Sequence, residues 1–390
     1  MEVKLINKSQ KNTKNSFYSI IFSLYLRICL FLKDKRILTM ETQDKKYIEG
    51  GLLYNSILSD IRKSRNVLQP LYEAITNSLE SFMILNKQLN KTQLDDYTLT
   101  IRLYKRKGHT DNFLFFQKLV VEDNGVGFDT ENFERLTRYR DNRKGFNNKG
   151  SGRIQFVHFF EDTTIESFYE ENNEIKGRKF TLSKSPSFLQ KNSILLLHNN
   201  PEKSIKERKT TITFKGLLDE KDQSFYNEID IYSLKKLIIS RYIYLFCSLD
   251  GNIPKIKLEE YTNEILSNKE EITDIDIPKY ESIDEFKVPY STLEDNKIVK
   301  INKEEVFSLS TFLIDNEISS KHDIKFTSKN ELVVNSRIKL DVLDRVKSVN
   351  GKYYLFLISG DYIDQFDSDP RGDLQLLTAN EFREKRDLFE

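Results

Sequence analysis

Apolar residues recur at spacings of three and four through Leu68, Leu71, Ile75, Leu79 and Phe82, within a helical pattern that runs over residues 45–85. Pro70 lies inside it, and because a missing amide hydrogen is harmless only in a first turn, the helix that follows is expected to start there. Residues 97–105 alternate as a strand does, 106–112 form a charged loop, and a second strand over 113–122 runs directly into Asp123-Asn124-Gly125-Val126-Gly127. The stretch 129–150 is polar and rich in Arg, Asn and Lys, as a mobile cover would be. A helix over 153–160 follows a glycine turn, and strands are expected at 163–169, 177–183 and 210–215. Helices, a β meander and a long loop between them predict an α+β sandwich.

Past this block the pattern changes. A boundary is expected at 219–223, separating a unit of residues 50–218 from one of 219–390, with a strongly apolar helix at 229–249 between them. Strand-like runs at 255–259 and 305–314 enclose a charged insert whose elements the pattern leaves unplaced. Strands at 331–334 and 353–358 flank an expected helix over 341–349, and no internal repeat is evident. Ahead of all this, residues 17–32 are apolar but interrupted by Arg27. The run falls short of the about 20 residues that a membrane helix needs. Asp34-Lys35-Arg36 stands where a signal peptide would have its small-residue cleavage site. The preferred reading makes residues 1–49 an extension, adventitious at least in part, with Met40 opening the functional chain; a membrane-associated start is the alternative.

Composition narrows the classes. With 61 Lys and Arg against 60 Asp and Glu, the net charge of +1 gives no whole-chain argument for nucleic acid or membrane, so any basic patch must be local. A hydrophobic fraction of 38%, with 12% aromatics, suits a folded chain. Cys29 and Cys247 are too few and too far apart for a disulfide framework or a zinc cluster, which fits a reducing, cytoplasmic setting. His109, His158, His198 and His322 share no metal-ligand spacing, so no transition metal is expected.

Three short segments hold the chemistry. In Glu73-Ala-Ile-Thr-Asn77, helical spacing puts a carboxylate and an amide on one face, where the first can deprotonate a water and the second can ligate a hard cation. On its own such a pair usually just forms a solvated helix face. In Glu122-Asp123-Asn124-Gly125-Val126-Gly127 an acid at a strand end can accept from an exocyclic amine such as adenine's, while the glycines let backbone approach a flat ligand. An ordinary turn is the bland reading, and the run lacks the alternating acids and closing Glu of an EF-hand. In Lys149-Gly150-Ser151-Gly152-Arg153, open amides at a helix start make an anion site, or simply a flexible turn.

Taken together in this order, the three segments resemble the GHKL superfamily, which holds the gyrase-type topoisomerase, heat-shock chaperone, histidine kinase, MutL and MORC ATPases; a Walker loop is absent. The resemblance implies a Bergerat-fold ATP-binding unit with ATP and Mg²⁺ as ligands. It implies Glu73 as general base, Asn77 as Mg²⁺ ligand, Asp123 on the adenine amine, Gly125 and Gly127 in the pocket floor, and Lys149, Gly150, Ser151 and Gly152 around the phosphates. Glu80 matches an acid the family often has three residues after the Asn, although a solvent-facing Glu explains it nearly as well. Lys209-Thr210-Thr211-Ile212 matches the family's Gly-Thr-x-Val strand, with Thr210 beside the adenine and Lys209 in place of the usual glycine. Val333-Val334-Asn335-Ser336-Arg337 and the run from Tyr362 to Arg371 resemble the ribosomal S5-like transducer unit of MutL and MORC proteins, with Lys339 and Arg371 as candidates to reach the γ-phosphate.

What the resemblance implies is a slow ATPase that closes a lid, forms a homodimer on binding ATP and acts as a clamp or switch. Its expected client is DNA or a DNA-bound partner, as in related ATPases including those of defence against phage; a chaperone-like ATPase acting on proteins, or a nucleotide-sensing subunit, is the alternative. A sensor kinase fits poorly, because no His stands in a dimerisation helix ahead of the ATP unit. The chain ends about twenty residues after the Asp369-Pro370 turn, so any effector is expected on a separate polypeptide, and no stable membrane association is expected.

Overall fold

The computed structural model describes residues 46–47, 54–108, 113–138, 152–199, 201, 205–249, 252–294, 297–316, 318–328, 331–333, 342–365 and 387–389. The fold is α+β. Its first sheet has nine strands: β1 (Lys46–Tyr47), β2 (Thr98–Lys107), β3 (Leu114–Asp123), β4 (Phe160–Glu171), β5 (Glu174–Leu182), β6 (Leu195–Leu197), β7 (Lys209–Leu217), β8 (Lys255–Thr262) and β9 (Ile265–Ile272). Their spatial order is β1-β6-β5-β4-β7-β3-β2-β8-β9, antiparallel except where β8 runs parallel to β2. The sheet therefore draws on residues from both sides of the boundary expected at 219–223.

Eight helices occur among the described residues: α1 (Tyr54–Asp60), α2 (Gln69–Leu89), α3 (Thr130–Thr137), α4 (Gly152–Phe159), α5 (Pro186–Leu189), α6 (Glu220–Glu228), α7 (Ile231–Ser248) and α8 (Asp361–Gln365). Strand alternation sorts the two faces of the first sheet. Leu99, Ile101, Leu119, Val121, Ile212 and Phe214 point into one core with Leu71, Ile75, Leu79 and Phe82 of α2, Val157 of α4 and Ile238 of α7. Their neighbours in sequence form ion pairs on the opposite face, where Arg102 lies between Glu122 and Glu259, and Lys209 reaches Glu122 at 2.8 Å. Helix α2 begins as expected with Pro70 in its first turn, and Asn90 in the left-handed conformation closes it.

A second sheet, ordered β13-β12-β14-β11-β10-β15, comprises β10 (Tyr280–Glu294), β11 (Lys297–Asp315), β12 (Asp323–Ser328), β13 (Glu331–Leu332), β14 (Lys352–Ser359) and β15 (Asp387–Phe389). Phe312, Ile314, Leu332, Leu355 and Leu357 form its core with Ile243 and Cys247 of α7. Helix α7 thus has apolar positions in both cores, as its length and apolar character suggested.

Three expectations need correction. Within the stretch expected to be helical over 45–85, Lys46–Tyr47 form a strand and residues 61–68 belong to no helix. The polar stretch from 129 begins as a helix, α3, because Asp129 caps it by accepting from the Asn132 amide at 2.7 Å. Over 341–349 the described residues carry a single 3₁₀ turn, Leu343–Arg345, in place of a helix. Val342 and Val346 are exposed, packed against no second element among the described residues, and Asn350 and Gly351 at positive φ turn the chain sharply into β14. No helix among the described residues is long and apolar enough to cross a membrane, and the run 17–32 lies outside them.

Candidate functional site

Helix α2 presents the first segment. Glu73 is buried, and the Gln69 amide one turn earlier donates to its Oε1 at 3.0 Å. Asn77, one turn further on, is exposed between buried neighbours, so α2 opens at that residue. Glu80 is 7% exposed, which excludes the solvent-facing reading of that side chain.

Asp123 ends β3 beside α2. Ser78 Oγ donates to its Oδ2 at 2.8 Å and the Gly125 amide donates to its Oδ1 at 2.9 Å, so both carboxylate oxygens are oriented. The turn that follows is pinned at each step. Ser81 Oγ accepts from the Val126 amide at 2.7 Å, and Ser167 Oγ accepts from the Phe128 amide at 2.9 Å. A Cβ at Gly125 would run into the Ser81 hydroxyl. Gly127 has φ +77°, and a Cβ there would lie 2.7 Å from Ser167 Oγ and 3.2 Å from Thr210 Oγ1. Glycine is required at 125 by space and at 127 by space and backbone conformation alike.

Sheet register brings in Thr210, which sits opposite Asp123 on one side and opposite Ser167 on the other. Its hydroxyl is buried, 2.9 Å from Ser167 Oγ. Lys209, where a glycine was expected, points to the opposite face and pairs with Glu122, so its side chain stays clear of Asp123. Burial by itself would raise the Glu122 carboxyl, but hydrogen bonds from Arg102 and Lys209 outweigh it and hold the group below the usual carboxylate range.

The third segment enters through Gly152, the first residue of α4. A Cβ there would collide with the Glu73 carboxylate and would stand 2.7 Å from its Cδ, so the start of this helix lies directly on the acid. Partial positive charge at a helix start favours an anion at that point. Glu73, Asn77, Asp123, Gly125, Gly127, Gly152 and Thr210 are thus brought together; Lys149, Gly150, Ser151, Lys339 and Arg371 lie outside the described residues. Sequence reasoning missed Ser78, Ser81 and Ser167, whose roles follow from register and helix placement and have no local signature.

The described histidines have structural partners: His158 Nε2 is 2.6 Å from Ile61 O, His198 Nε2 is 2.9 Å from Thr181 Oγ1, and His322 bridges Lys347 O and the Tyr354 amide. Cys247 is buried with its thiol on Pro278 O, and burial pushes that thiol up to about 12.

No family model matches the chain, and no curated protein matches it. Among solved structures it is similar to the crystal structure of the N-terminal domain of a DNA repair protein, at 10% identity and a TM-score of 0.43, over 82% of this chain and 91% of that one.

Proposed function

We propose that this chain is a Mg²⁺-dependent ATPase of the GHKL type, whose ATP-bound form dimerises and acts on DNA or a DNA-bound partner. The observation that supports this reading is convergence. Three segments distant in sequence meet so that an acid and an amide one helical turn apart, an oriented carboxylate above two obligatory glycines, and a helix start free of side chain share one place. The two glycines let the turn pack closely on Ser81, Ser167 and Thr210, and the amine of an adenine is a donor suited to Asp123 beside it.

In this reading Asp123 and Thr210 orient the base, and the start of α4 with Lys149, Gly150 and Ser151 meets the phosphates. Glu73 holds the attacking water and takes its proton, with Gln69 fixing the carboxylate. The amide oxygen of Asn77 would hold Mg²⁺, which supplies charge neutralisation at the phosphate oxygens. Steady-state ATPase assays with and without duplex DNA, at low and moderate salt, test the proposal. Mg²⁺-dependent turnover stimulated by DNA in a salt-sensitive manner supports it, whereas absence of turnover in every condition refutes it.

A further inference from the structure

Between Gly127 and α3 the chain belongs to no sheet, and side chains take up its backbone oxygens one after another. Asn132 Nδ2 donates to Gly127 O at 3.1 Å, and Arg178 Nη1 from β5 donates to Phe128 O and, at 2.7 Å, to Asp129 O. Asp129 O is also the first acceptor of α3, taking the Phe133 amide at 2.9 Å. The same guanidinium stands 4.5 Å from the ring centroid of Phe133 and 5.0 Å from that of Tyr169. Tyr169 in turn contacts Gly127, where an added Cβ would lie 3.2 Å from Tyr169 Cβ. Among the described residues Arg178 makes no ion pair; its charge is directed at two carbonyls and two aromatic faces.

The geometry points to Arg178 as a positioning residue that latches the exit of the glycine turn, and with it α3, onto β4 and β5. A planar guanidinium can lie between two rings while donating in its own plane to two oxygens, and an ammonium cannot do both. Without the latch, Phe128 O loses its donor and Asp129 O keeps only the Phe133 amide, and the turn under the proposed adenine position samples other conformations. A site competent for only a fraction of the time binds its ligand weaker by that fraction while its chemistry is unchanged. Arg178 therefore acts on the apparent affinity for ATP and not on the turnover step. This kinetic consequence rests on the nucleotide reading above; the latch itself does not.

The test uses the full chain with Arg178→Met, Arg178→Lys and, as a milder variant that keeps the carbonyl contacts, Phe133→Leu. Amide hydrogen exchange over residues 126–137 without nucleotide should quicken about tenfold in both arginine variants and by less in Phe133→Leu, while exchange in α2 stays as in the parent. With Mg-ATP, the KM should rise about tenfold in Arg178→Met and Arg178→Lys with kcat within about threefold of the parent. Unchanged exchange over 126–137 in the two arginine variants overturns the latch, whatever the ATP results. So does full rescue of the exchange by lysine, while a fall in kcat at constant KM overturns the kinetic consequence. If the parent chain binds no ATP, the nucleotide reading fails by itself and the exchange measurement still decides the latch; should Arg178→Met not fold, Arg178→Lys and Phe133→Leu supply both readouts.

Discussion

Glu73 on α2 and Asp123 on β3 are both buried acids, and the proposed function gives them different work. Asp123 is fixed at both oxygens by Ser78 and the Gly125 amide, which suits a static recognition group. Glu73 accepts from Gln69 and lies against the start of α4, and in the proposed function it is the group that takes a proton from the water. Glu73→Ala is therefore expected to bind ATP as the parent does and to lose about 10²- to 10⁴-fold in turnover, measured by single-turnover hydrolysis beside equilibrium binding. Gly127→Ala puts a side chain at φ +77° and against Ser167. It is expected to cost about 1–3 kcal/mol in thermal or urea unfolding and to weaken ATP binding. Retained stability and affinity in that variant would show that the turn is not held as described.

Elements decide how firmly these residues are held. Helix α7 contributes Tyr242, whose hydroxyl donates to Tyr72 O at 2.7 Å and lies 2.8 Å from Thr76 Oγ1, bracing the turn of α2 that bears Glu73. Tyr242→Phe removes only that oxygen and is expected to destabilise by about 1–2 kcal/mol in urea unfolding; no change would mean that the brace is unimportant. On the polar face of the first sheet, the pairing of Glu122 with Arg102 and Lys209 depresses its carboxyl pKa in the folded state. A depressed acid adds stability that is complete above its unfolded pKa and is lost as pH falls through the folded value. Glu122→Gln should thus lower the melting temperature at pH 7 by roughly 2 °C, for a partly exposed pair contributing on the order of 1 kcal/mol. The difference from the parent should vanish in acid, below the folded carboxyl's pKa; a constant difference at all pH values would contradict the linkage. Local pattern made α2, β3 and the glycine turn legible, because helical spacing and strand alternation translate directly into faces. The partnership of Thr210 with Ser167, and the parallel pairing of β8 with β2, depend on cross-strand register that no local pattern encodes. The helix expected over 341–349 failed for the converse reason: its apolar residues had no second element to be buried against.

At the scale of the molecule, the apolar helix α7 is shared by both cores, and Arg241 on it donates to Leu332 O in β13 at 2.7 Å while standing over the Tyr72 ring. Helix α7 is the element through which, in the proposed function, a change at α2 would reach the second sheet. In the proposed function, light scattering should report a monomer without nucleotide and a dimer with Mg-ATP and Glu73→Ala. The claim beneath all of this is that Asp123 and the turn beside it receive adenine. The most direct measurement is calorimetric titration of ATP into the parent chain and Asp123→Asn, with Lys209→Ala as a control that alters only the opposite face. The account predicts saturable binding by the parent and the control and none by Asp123→Asn in a folded protein; equal binding by all three would contradict it.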